Sequence, residues 1–167
     1  MADTDRRIEE LTARLERLER RLDGSPGEAP EPDADAFWAL AALRSRVSGD
    51  GGVLFTGTVR LPAGERAEWQ LGQTTDALLD SDWTEVADAV TALGHPMRLV
   101  LLQAVLAGSH TVAELAGTDG LGTTGQLYHH LRPLVAAGWL RTHGRGRYEV
   151  PAARVVPLLV IIAAAQR

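Results

Sequence analysis

The side chains best equipped for chemistry in this sequence fall within one stretch, residues 123–147. At 100° per residue, Gly125, Gln126, Tyr128, His129 and Arg132 spread over one side of a helix, while Leu127, Leu131 and Leu134 point the other way. Gln126 can pair bidentately with adenine, Arg132 can reach a guanine or a phosphate, and Tyr128 can offer its hydroxyl to a phosphate. Gly125 leaves the backbone open to close approach, and Thr123 and Thr124 join the same candidate surface at the helix start. Arg141, Arg145 and Arg147 cluster around the tip Gly144-Arg145-Gly146, which suits a line of phosphates or a groove. These groups hydrogen-bond and pair charge; they do not make or break bonds.

Catalysis finds little support elsewhere. Cysteine is absent, which removes disulfides, thiolate metal sites and cysteine nucleophiles. No nucleophile–base pair, no paired carboxylates at helical spacing and no phosphate-cradling glycine loop are present. His129 and His130 are adjacent and point about 100° apart, and the remaining histidines lie on separate elements, so no four-ligand zinc site is expected. No enzyme activity, no cofactor and no metal follow from this reading. The apolar run Val155 to Ala165 is too short to span a membrane, which takes roughly 20 residues. The acidic, apolar-poor start is no secretory signal, so a cytoplasmic protein is expected.

The charge is split. The chain carries −5 overall, but residues 95–167 hold seven arginines against Glu114, Asp119 and Glu149, and all five histidines. An acidic partner on this half is the natural reading.

Four segments must position these groups. Residues 1–22 hold a short helix with Ile8, Leu11, Leu15, Leu18 and Leu22 at alternating spacings of 3 and 4, a coiled-coil seam suited to a parallel dimer. Residues 23–35 are an acidic, proline-bearing linker. Residues 36–80 read as a helix and a β-hairpin: Phe37, Leu40, Ala41, Arg44 and Val47 have helical spacing, and Val53 to Leu61 and Ala67 to Leu71 alternate about Pro62-Ala63-Gly64. Trp38 and Trp69 are expected to be buried there.

Residues 81–167 begin with a helix capped by Ser81 or Asp82, with Trp83, Val86, Ala87, Val90 and Leu93 on its apolar side. Pro96 opens the next helix, and capping boxes at Thr111/Glu114 and Thr123/Gln126 open two more. Gly138 closes the last of these, two short strands flank Gly144-Arg145-Gly146, and an apolar helix ends the chain. A helix hydrophobic all round must be buried, so Val155, Leu158, Leu159 and Ile162 are expected at a dimer interface. Pro133, inside the helix that begins at Thr124, predicts a kink.

This order predicts an α+β, mainly α fold: a winged helix-turn-helix, with residues 117–122 as the turn. Leu93-Gly-His-Pro-Met-Arg98, Val112-Ala-Glu-Leu-Ala116, Leu127-Tyr-His-His-Leu131 and Ala137-Gly-Trp-Leu-Arg141 stand in this order and spacing, and with them residues 83–165 resemble the arsenical-resistance-repressor (ArsR) family of bacterial transcriptional regulators. The resemblance implies a homodimeric repressor that binds double-stranded DNA and is released by a ligand or a metal. An organic effector or a protein partner acting at 36–71 stays open as the signal. The alternative also stays open that the winged helix is a protein-interaction module, because only Arg132 is charged on the helix that would read DNA.

Overall fold

The computed structural model describes residues 37–117, 123–144 and 146–166. The chain divides into two compact units, Met1–Ser48 and Gly49–Arg167. The seam from Ile8 to Leu22 and the linker at 23–35 lie outside the described residues, as do Arg145 and most of the expected turn at 117–122.

In the first unit the described element is helix α1, Trp38–Arg44. It buries none of its residues, and Phe37, Trp38 and Leu40 are exposed.

The second unit opens with strands β1, Gly52–Arg60, and β2, Arg66–Thr74, an antiparallel hairpin of nine paired positions. Gly64 takes the left-handed φ of +92° that the turn requires. The hairpin belongs with the helices that follow rather than with α1, with which residues 36–80 had grouped it. A short helix unforeseen in the sequence, α2 (Thr75–Leu79), follows, capped by the Thr74 hydroxyl, which accepts from the Ala77 N–H.

Asp82 caps the next segment as expected, but that segment is a 3₁₀ turn, Trp83–Val86, before α3, Ala87–Leu93. Its apolar side is mostly not core. Trp83, Val86 and Val90 are exposed, and only Ala92 and Leu93 are buried. Helix α4, Pro96–Ala107, has Pro96 in its first turn, His95 Nδ1 accepting the Met97 N–H, and Gly108 left-handed at its end. Helix α5 is Val112–Ala116 and α6 is Thr124–Ala136; strands β3, Arg141–His143, and β4, Arg147–Glu149, form a second hairpin; α7 is Ala152–Ala165. The fold is thus mixed helix and antiparallel strand. Among the described residues no single helix is long and apolar enough to cross a membrane.

The main core is made of leucines from several helices. Leu101, Leu115 and Leu134 are fully buried, and each such side chain contributes about 1.5–3 kcal/mol. A second, smaller cluster joins Ala67 of β2 to Val155 and Val156 of α7. The hairpin approaches so closely that a Cβ on Gly57 would stand 2.7 Å from Val156 Cγ1.

This changes the account of two sets of apolar residues. Val155 and Leu158 had been assigned to a dimer interface because the terminal helix has no polar side, yet hairpin and core already bury them within the chain. Leu159 and Ile162 are half-buried, and Ile161 is exposed. Trp38 and Trp69, expected inside, are 65% and 39% exposed: α1 buries nothing, and the apolar side of β2 is tightly covered only at Ala67. The helix also starts at Ala152, so Pro157 sits inside it.

Candidate nucleic-acid interface

Helix α6 is set by its own first turn. The Thr123 hydroxyl accepts the Gln126 N–H at 3.4 Å, and Gln126 Oε1 accepts the Thr123 N–H at 2.8 Å. Leu127, Leu131 and Leu134 are 1% exposed or less, which fixes the rotation of the helix. The opposite side, with Thr124, Gly125, Gln126, Tyr128, His129 and Arg132, is left exposed. Pro133 lies within the helix and cannot donate to the His129 carbonyl. It lines a small recess with Asp88 and Arg98 instead.

The capping box bears on the reading of Gln126. Its amide oxygen already accepts from the Thr123 N–H, so bidentate pairing with adenine would use its NH₂ and make the oxygen serve the cap and the base together.

Helix α5 has the second capping box. Glu114 Oε2 accepts the N–H groups of Thr111 and His110, both at 2.8 Å, and these bonds, the Thr111 pair first, hold its carboxyl below the usual range. Arg147 of β4 adds a smaller push the same way.

The β3–β4 hairpin is tied to this helix start. Thr111 forms a β-bridge with Arg147, the Tyr148 N–H donates to the His110 carbonyl at 2.7 Å, and His110 Nδ1 lies 3.0 Å from the Tyr148 carbonyl. Tyr148 is buried, and that burial raises its phenol pKa; Tyr128 and Arg132 of α6 are near enough to act on it electrostatically. The hairpin is thus bonded to the start of α5, and its Tyr148 belongs to the same buried cluster as Leu127 and Leu131 of α6. Neither His110 nor Tyr148 stood out in the sequence, because their roles depend on contacts between residues 38 positions apart.

The arginines are not equivalent. Arg141 faces Glu149 across the hairpin and forms an ion pair with it, so it is not the free cation the sequence implied. Arg147 is exposed, with Glu114 nearby. On α6 the charge is carried by Arg132.

His130 is half-buried, its ring 4.6 Å from that of His95 and 5.5 Å from that of His129. Burial pushes its pKa below the ordinary 6.5, and His95, His129 and Arg98 push it further down. Among the described residues, no three His, Cys, Asp or Glu side chains are grouped to hold a metal ion.

No family model matches the chain, and neither a curated protein nor a solved structure matches it.

Proposed function

We propose that the chain is a sequence-specific DNA-binding transcriptional regulator, a repressor of the cytoplasm that acts as a homodimer through a winged helix-turn-helix. The observation that carries this reading is the pairing of an exposed polar side of α6 with a charged hairpin held beside it. Leucines lock the rotation of α6, so Thr124, Tyr128, His129 and Arg132 face outward, while Thr111 and His110 fix Arg147 at the neighbouring hairpin. A helix in the major groove supplies base contacts, and a charged hairpin beside it supplies phosphate contacts. Trp83, Val86 and Val90, exposed on one side of the segment at 83–93, and Ile161 of α7 offer the dimer a surface. The seam at Ile8 to Leu22 would assist.

One observation favours the rival reading, a module that binds protein. Arg141 is paired with Glu149, which leaves Arg132 and Arg147 as the exposed arginines of α6 and of the described part of the hairpin, little free charge for a polyanion. Selection of duplexes from a random pool, followed by fluorescence anisotropy at two salt concentrations, separates the two. Enrichment of a palindromic site with salt-dependent binding supports the repressor; no enrichment supports the protein module. Light scattering at micromolar concentration should give a dimer.

A further inference from the structure

Helices α4 and α7 are apolar around more of their circumference than one core can use. Helix α4 sends Leu101, Leu102 and Val105 into the main core, packs Leu99 and Leu106 against its edge and leaves Val100 half-buried. Helix α7 sends Leu158 into that core and Val155 and Val156 against the β1–β2 hairpin. Leu106 packs against both clusters. Where the clusters meet, the packing leaves a partly open cavity of about 480 Å³, bounded by Leu61, Leu99, Gln103, Leu106, Leu159 and Ile162 among others.

Among the described residues the recess offers one polar side chain, Gln103, which is itself exposed, and otherwise presents apolar surface. Its volume falls in the range of small-molecule sites, about 300–1,000 Å³. One wall is set in advance: the Leu61 N–H donates to Glu65 and the Gly64 N–H to Leu61, which fixes the hairpin turn.

We infer that this seam is a binding site for a neutral, mainly apolar small molecule with one hydrogen-bonding group, of the aliphatic alcohol class. Among the described residues no ionisable side chain lines it, so a charged ligand would lose hydration without a counter-charge. The Gln103 amide both donates and accepts, which suits one hydroxyl. A second copy of the chain is a poorer occupant: the recess lies between elements of one chain, while the exposed stripe Trp83, Val86 and Val90 is not part of its lining. An occupant touches α4, α7 and the hairpin turn at once and so holds the hairpin against the helices. In the proposed repressor that occupant is the effector. Only this role rests on the DNA reading; binding does not.

The test uses the full chain without DNA, so the two readings fail separately. Titration calorimetry and thermal melting are run with 1-octanol, octanoate and octane on the wild type, Ala107→Phe and Gln103→Leu. We expect one octanol per chain, a higher melting temperature, and octanoate weaker by at least about tenfold. Ala107→Phe, at an exposed helix position on the cavity edge, should fill the space and weaken octanol by about tenfold or more. Gln103→Leu should weaken octanol a few-fold and leave octane unchanged, which keeps the test decisive should the Phe variant not fold. Absent octanol binding, octanoate binding equally well, or binding unchanged in both variants overturns the inference. So does octanol affinity that falls as protein concentration rises, which would assign the recess to a second copy.

Discussion

The two antiparallel hairpins share a topology and differ in what holds them. β1–β2 has nine paired positions and is fixed by shape: Ala67 is buried on α7, and Gly57 lets the strand close onto Val156. β3–β4 has three paired positions and is fixed by one buried side chain, Tyr148, and by single bonds, from Thr111, from His110 and across the hairpin from Arg141 to Glu149. The first should fail when its outline changes, the second when a partner is removed. The second is also the one that presents charge. A hairpin held by a few bonds beside a helix can deliver charge with little apolar surface of its own.

The largest effect should follow from Gly57→Ala. Val156 is 1% exposed and branched at Cβ, so it cannot swing away from a methyl placed 2.7 Å from Cγ1. Overpacking of this kind costs about 1–3 kcal/mol. Urea unfolding measures it, and the DNA affinity of the folded fraction should not change. A loss of DNA affinity without a loss of stability would erase the distinction between the hairpins.

His110→Ala should cost less, about 0.5–1.5 kcal/mol for one hydrogen bond. Here DNA affinity should fall along with stability, because Tyr148 beside Arg147 loses its side-chain bond to residue 110 and keeps only the backbone ones. His110→Asn, which keeps a donor, should recover part of both. The assay is anisotropy beside urea unfolding.

The arginines sharpen the contrast further. Arg147→Ala should lower the salt slope of DNA binding by about one, and Arg141→Ala should change it much less because Glu149 already neutralises that guanidinium. Glu149→Gln should then free Arg141 and steepen the slope. Equal slopes for the two alanine variants would show that the ion pair does not govern charge at the hairpin.

The smallest effect is a pH dependence outside both hairpins. His130 has a folded pKa below its unfolded 6.5, so the unfolded chain binds the proton more readily. The stability this protects is present above about pH 6.5 and is lost as pH falls through the lowered folded value. Unfolding midpoints at pH 7.5 and 5.5 should differ more for the wild type than for His130→Gln.

What could be read in the sequence was local or periodic. The capping boxes Thr111/Glu114 and Thr123/Gln126 span four residues each, and Leu127, Leu131 and Leu134 follow the helical period, so all were legible. Gly138 and Gly64 announced left-handed turns for the same reason. What could not be read depended on partners distant in the chain. The period of Trp83, Val86 and Val90 marks an apolar side but does not say what covers it. The Arg141–Glu149 pair follows from the register of three-residue strands, too short to leave an alternating pattern. Gln126 satisfies the capping pattern and the base-reading pattern with the same atoms, and only the hydrogen bonds show which group remains free.

The central claim is that the outward side of α6 reads DNA sequence while the β3–β4 hairpin supplies charge. The direct measurement is fluorescence anisotropy on a selected duplex and its scrambled version, for the wild type, Tyr128→Ala with Arg132→Ala, and Arg147→Ala. The α6 double variant should lose about 1–3 kcal/mol of discrimination with the base contact of Arg132, and should weaken the scrambled duplex less than the selected one. Arg147→Ala should weaken both duplexes alike. A double variant that binds both duplexes as the wild type does, or a wild type that never discriminates between them, contradicts the account.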